Sequence, residues 1–187
     1  MKLNFWDDTW PLDVSECPCD AHFVEYLKVR GVSDKAIFHF GSGEHHLLGI
    51  ENAKLARPNQ IVSVTASRKE YETYIDLAIA QPKVANTYKV TFLDIYTLDR
   101  RILPRFDYVS LFHLCEFYDP KNSSYAPLDD RSLLDLFVDR LAPDGRILFY
   151  QGSNGWGQGQ GIVEDACRAG RLAVDETFLS LFVCRRR

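Results

Sequence analysis

The chain lacks an excess of positive charge. Its 22 lysines and arginines stand against 26 aspartates and glutamates, a formal net charge of −4, so the basic face of a general nucleic-acid binder is not expected. No apolar run approaches the ~18 residues of a membrane span. Residues 1–11 lack the cationic segment and apolar core of an export signal. The five cysteines (17, 19, 115, 167 and 184) are odd in number and scattered, which is no disulfide framework. Cys17-Pro-Cys19 has no second cysteine pair to complete a zinc site, and no internal repeat is visible. These absences point to a cytoplasmic protein with reduced thiols, with neither membrane nor nucleic acid as a partner. With 46% hydrophobic and 26% charged residues, the chain can bury a real core and is not disordered as a whole.

One domain is expected over residues 1–187. Residues 1–32 form an acidic, aromatic arm and a first helix, and residues 33–187 form the core. The first helix spans about 21–30, with Asp20 as its N-cap and Gly31 as its stop. Short apolar runs at 36–40, 61–65, 88–93, 108–112 and 146–150 predict strands. Helical spacing predicts helices at 47–56, from 67 onward, at 132–141 and at 162–169. Ser67-Arg-Lys-Glu70 has the form of a capping box. Residues 143–145 predict a turn, the glycine-dense stretch 152–161 a mobile lid or surface loop, and 185–187 a solvated tail. Alternating strands and helices mean a parallel sheet covered on both faces. Two closely spaced runs at 172–176 and 179–184 can pair only as an antiparallel hairpin.

Strand one runs into His39-Phe-Gly-Ser-Gly-Glu-His45. A strand, a glycine turn and a helix bring bare backbone and helix N–H groups up to a ligand. The dinucleotide fingerprint fails because His46 stands where its last glycine belongs, and no phosphate-loop lysine follows. The histidines at 39, 45, 46 and 113 could gather beside Cys115 and Glu116. However, His45 and His46 are adjacent and diverge, and no recognised metal spacing is present. No metal is therefore expected.

The larger pattern resembles the class I S-adenosylmethionine-dependent methyltransferases. Residues 36–43 resemble their first motif, 63–67 the end of their second strand, and 92–95 their third-strand motif. Residues 106–109 with 111–116 resemble the fourth strand and its reactive-side loop, and 141–149 the turn into strand five. The resemblance implies an α/β, Rossmann-like sheet of seven strands, mostly parallel, in the order 3-2-1-4-5-7-6. Strand seven would be antiparallel, and helices would cover both faces.

The resemblance also implies S-adenosylmethionine as cofactor, held by His39, Gly41, Ser42, Gly43, Thr65, Asp94, Ile95 and Phe112. The acceptor would be a small molecule, with His113 or Tyr118 as the base if one is needed. Loop aromatics Tyr118, Tyr125 and Trp156 would either line the acceptor pocket or serve as ordinary lid packing. The sequence departs from the family at His39 and Thr65, where acids are usual, and at His45, where a third glycine is usual. Losing the charge-assisted grip on the ribose implies weak binding, on the order of tens of micromolar. Thr65→Asp would then restore that grip. Two alternatives stay open: a member that has lost catalysis and serves as a binding or assembly partner, and a metal-dependent enzyme on the same scaffold.

Overall fold

The computed structural model describes residues 4–121 and 124–187; the first three residues of the arm, and 122 and 123, lie outside it. In chain order the elements are α1 (Cys19–Val29), β1 (Ala36–Phe40), α2 (Leu47–Asn52), β2 (Gln60–Thr65), α3 (Arg68–Ala80), α4 (Pro82–Thr87) and β3 (Tyr88–Phe92). There follow β4 (Phe106–Ser110), α5 (Asp130–Arg140), β5 (Leu141–Tyr150), α6 (Trp156–Arg168), β6 (Leu172–Phe178) and β7 (Leu181–Arg186). They build one seven-stranded sheet in the order 3-2-1-4-5-7-6. β7 runs antiparallel to both β5 and β6, and the other pairings are parallel.

Strand alternation sorts the core into two layers. Phe38 of β1 faces one side, packing with Phe106 and with Phe137 of α5, its ring centroid 4.3 Å from that of Phe137. Ile37 faces the other, with Phe23 and Tyr26 of α1 and with Ile61 and Tyr88. Both faces are thus covered, which is why the strands read as nearly continuous apolar runs.

Several boundaries differ from expectation. β4 occupies 106–110 rather than 108–112. Leu111, Phe112 and Leu114 are buried in the turn after it, so apolarity runs on past the strand. Residues 143–145 do not end an element. Leu141 pairs with Phe106 and Arg146 with Tyr108, so the Pro-Asp-Gly segment bulges within β5. α2 stops at Asn52, whose side chain exchanges hydrogen bonds with the backbone of Asn59 and closes the loop. α4, opened by Pro82 at its first turn, has no counterpart among the expected elements.

Asp20 is not a cap: Pro18 holds the N-cap position, and Asp20 lies buried in the first turn of α1. The glycine-dense stretch is a loop only over 152–155; from Trp156 it is the start of α6, which buries Gly159, Ile162, Val163 and Ala166. Nor are 185 and 186 a solvated tail; they pair in β7, and the Arg186 guanidinium donates to the Leu141 carbonyl.

Candidate functional site

The strand order reverses between β1 and β4, so the loops that follow these two strands part and leave a crevice. A cavity of about 410 Å³ opens there, within the range of small-molecule sites. Gly41 and Gly43 turn the chain away from β1 with φ of +83° and +55°. A Cβ on Gly41 would stand 3.2 Å from the His113 ring, and one on Gly43 only 2.5 Å from that of His45. Side chains at these two positions would be both strained and crowded. The arm roofs the crevice. Trp6 exchanges backbone hydrogen bonds with Ala66 and Arg68, and Glu44 N–H donates to the Trp10 carbonyl at 3.1 Å.

Of the residues expected to bind a cofactor or act in catalysis, Gly41, Gly43, Thr65, Asp94, Ile95 and His113 line this cavity. Four do not. His39 is buried beneath it on the α1 side, its Nδ1 2.7 Å from Ser110 Oγ. Ser42 is buried. Phe112 packs edge-on against Phe23 of α1, ring centroids 5.5 Å apart. Tyr118 lies against the Tyr96 ring, beside the shallow depression formed with Asp129, Asp130 and Arg131. Among the loop aromatics, Trp156 packs on Phe149 and Phe182, and Tyr125 donates to Asp94 Oδ2 at 2.6 Å.

The four histidines do not converge. His46, with a left-handed φ of +45°, is buried and turns away from the cavity to Thr73 and Tyr88. α2 therefore starts only at Leu47, directly after His46. His39 and His45 each place Nε2 3.4 Å from one oxygen of Asp20. Burial pushes Asp20 up to about 7 and His39 down to about 3. His113 Nδ1 lies 3.0 Å from Glu116 Oε2. Burial favours the neutral ring, but the Glu116 carboxylate outweighs it and raises the His113 pKa. Glu116 also accepts from Ser153 Oγ and from the Asn154 N–H. Burial opposes its charge, yet the His113 hydrogen bond leads the contacts that hold it low.

Two carboxylates were missed by sequence reasoning. Both come from the first turns of helices. Asp20 of α1 reaches the cavity beside His39, and Glu70 of α3 reaches it beside Thr65. Thr65 Oγ1 donates to Glu70 Oε2 at 2.6 Å, and the Trp10 N–H donates to Oε1 at 3.2 Å. Burial raises the Glu70 pKa, opposed by the Thr65 hydroxyl. The capping box is thus half made: Ser67 caps Glu70 N, but the Glu70 side chain turns into the cavity instead of back to Ser67. Glu70 was visible in the sequence as the last residue of that motif. Nothing local shows that its side chain leaves the helix end.

No protein-family model matches the chain, and no curated protein matches it in sequence. Solved structures do match. Magnesium protoporphyrin IX methyltransferase (ChlM) from Synechocystis PCC 6803, solved with bound SAM, superposes with a TM-score of 0.65 at 10% identity, over 98% of this chain and 88% of that one. The fold is that of the class I methyltransferases. TrmN from Thermus thermophilus matches with a TM-score of 0.59 at 13% identity, over 88% of this chain; the chain spans 48% of its length. The [4+2]-cyclase SpnF matches with a TM-score of 0.61 at 14% identity, over 94% of this chain and 64% of that one. The methyltransferase fold is thus shared by a protein named for cyclisation, and the chemistry must be argued from the cavity. No helix among the described residues is long and apolar enough to cross a membrane.

Proposed function

We propose that the chain binds S-adenosylmethionine in the cavity at the β1–β4 switch and transfers its methyl group to a small-molecule acceptor. One observation carries the reading. Acids are absent from the ends of β1 and β2, and the carboxylates of Asp20 and Glu70 line the same cavity, where they would take the place of those acids. The turn at Gly41 and Gly43 lets backbone approach a ligand. Asp20 stands on the wall next to β1, where a cationic amino group would be favoured. Glu70 and Asp94 offer carboxylate oxygens for hydroxyl and amine donors; each oxygen can accept more than one hydrogen bond.

The cofactor would supply an electrophilic methyl on a sulfonium centre. Methyl transfer is an in-line displacement, so holding the two reactants in line contributes most. Of the two expected bases only His113 reaches the cavity, and its ring, held by Glu116, would face the acceptor.

Calorimetric titration with S-adenosylhomocysteine tests the reading. Binding is expected on the order of tens of micromolar or tighter. Glu70→Gln should weaken it by about tenfold, the worth of one charge-assisted hydrogen bond. Absence of heat and of any thermal shift at millimolar ligand would overturn it. A second reading, ligand binding without transfer, is favoured by the hydrogen bonds that the chain itself already gives to both oxygens of Glu70 and both of Asp94. Tight binding with no methylated product from a panel of small acceptors would select it.

A further inference from the structure

We propose that Cys17, Cys19 and His113 form a zinc site on the cavity wall, with its fourth coordination position open to the cavity. The sequence showed a Cys-Pro-Cys pair without a third ligand, and the fold supplies that ligand from the loop after β4. One ligand atom from each of the three residues lies within 4.8 Å of the other two. The two sulfurs are 3.4 Å apart. Two sulfurs bound at about 2.3 Å to a tetrahedral zinc stand about 3.8 Å apart, so only a small opening of the pair admits the ion.

A second, independent feature points to a metal. His113 Nδ1 is engaged by Glu116 at 3.0 Å, and Glu116 is fixed in turn by Ser153 Oγ and the Asn154 N–H. A carboxylate that holds one ring nitrogen and leaves Nε2 as a lone-pair donor is the usual outer support of a metal-bound imidazole. Gly41 leaves room for the ring at the strand end, where a Cβ would crowd it at 3.2 Å. Cys19 is anchored at the start of α1, and Cys17 is held by its N–H donating to the Asp13 carbonyl at 2.8 Å.

Two thiolates and one imidazole suit zinc, and three protein ligands with one open position are the pattern of a reactive rather than a purely structural site. Binding replaces the two thiol protons, which pass to solvent. All three ligands line the cavity proposed for the cofactor and acceptor, so the open position would take water or a donor atom of the acceptor. The site does not depend on methyl transfer and is tested without it. The two roles of His113 are alternatives: with zinc bound its Nε2 is a ligand and no longer a base, and the metal itself would acidify an acceptor held at the open position.

The full chain, reduced and handled without oxygen, is titrated with Co²⁺ as a spectroscopic probe and then with Zn²⁺ in competition. One Co²⁺ per chain is expected, with a thiolate-to-metal charge-transfer band and the visible bands of a tetrahedral site, displaced stoichiometrically by zinc. Cys17→Ser and His113→Ala should each weaken affinity at least 100-fold. Glu116→Gln should cost about 10- to 100-fold while keeping the band. Cys167→Ser, outside the cluster, should change nothing. Circular dichroism of each metal-free variant establishes that it folds, and Cys17, only half-buried, is the substitution the fold tolerates best. No charge-transfer band in the wild-type protein, or a band that survives Cys17→Ser, would overturn the proposal. So would a Cys17–Cys19 disulfide that forms in air at the same rate with and without zinc.

Discussion

Thr65 and Glu70 act as one unit. Because the Thr65 hydroxyl donates to Glu70 at 2.6 Å, Thr65 is not an empty place awaiting an acid. Thr65→Asp would set a second carboxylate against a buried first one, whose pKa burial already raises. Like charges so close cannot both stay ionised. We therefore expect Thr65→Asp to lower thermal stability at neutral pH and not to tighten binding of S-adenosylhomocysteine, reversing the expectation from sequence. A tighter complex in calorimetry would show that Glu70 is not the operative acid. His46 gives a second residue-scale prediction. It is buried, with Nε2 2.9 Å from Thr73 Oγ1 and Nδ1 3.3 Å from the Tyr88 hydroxyl, beside the Tyr74 ring. Burial and then His45 push its pKa down to about 4. An unfolded histidine titrates near 6.5, so between these values the unfolded chain binds a proton that the folded chain refuses. Stability is then full above about pH 6.5 and falls as the pH drops towards 4, by on the order of 1–3 kcal/mol. His46→Gln should flatten the fall in unfolding free energy between about pH 7 and 5, leaving the share due to His39. Identical slopes in denaturant titrations of the two proteins would rule this out.

Among the elements, α6 departs furthest from expectation. Glycine density suggested a loop because glycine is costly in a helix, by about 1 kcal/mol relative to alanine. Packing overrides that cost. A Cβ at Gly155 would stand 2.4 Å from the Leu114 carbonyl, so the helix start lies directly on the loop after β4. At Gly157 and Gly161 nothing lies within 4 Å of such a Cβ. Gly157→Ala and Gly161→Ala should therefore each raise stability by about 0.4–1 kcal/mol, whereas Gly155→Ala should lower the melting temperature. The same sign for all three in thermal melts would contradict this. Side chains add to the backbone hydrogen bonds that fix the arm. The Tyr125 hydroxyl accepts from the Asn4 N–H at 2.7 Å and donates to Asp94, and Asn4 Nδ2 donates to the Phe117 carbonyl at 2.9 Å. Removing two hydrogen bonds of about 1 kcal/mol each, Tyr125→Phe should speed proteolytic cleavage within residues 4–10 by about tenfold or more. Unchanged cleavage would mean that the backbone hydrogen bonds of Trp6 and Trp10 and their aromatic contacts with Phe117 hold the arm without Tyr125. Elements bounded by clear punctuation were legible in the sequence: β1 starts and ends where its apolar run does, and β2 and β3 fall within a residue. β4 was misplaced because burial continues beyond its hydrogen bonding.

At the scale of the molecule, strand order followed from the family pattern and from the short link between the last two strands. The site was legible only where backbone sets it. Gly41, Gly43, Thr65, Asp94 and His113 sit at strand ends, and strand ends meet at the switch. Asp20, Glu70 and Cys17 come from helix starts and from the arm, and their arrival depends on how those pieces pack, which no local pattern records. The same topology has a practical side. β7 is antiparallel to β5: Leu181 pairs with Tyr150 at the end of that strand and Arg185 with Arg146 four residues back, while the Arg187 N–H donates to the Arg171 carbonyl. The last residues thus leave the sheet at the edge remote from the cavity, whereas Asn4 to Trp10 form its roof. A sensor chip or fusion partner attached after Arg187 would hang the molecule with its crevice facing outward, whereas the same attachment ahead of Asn4 would load the roof itself. Immobilised binding experiments should be anchored on the Arg187 side.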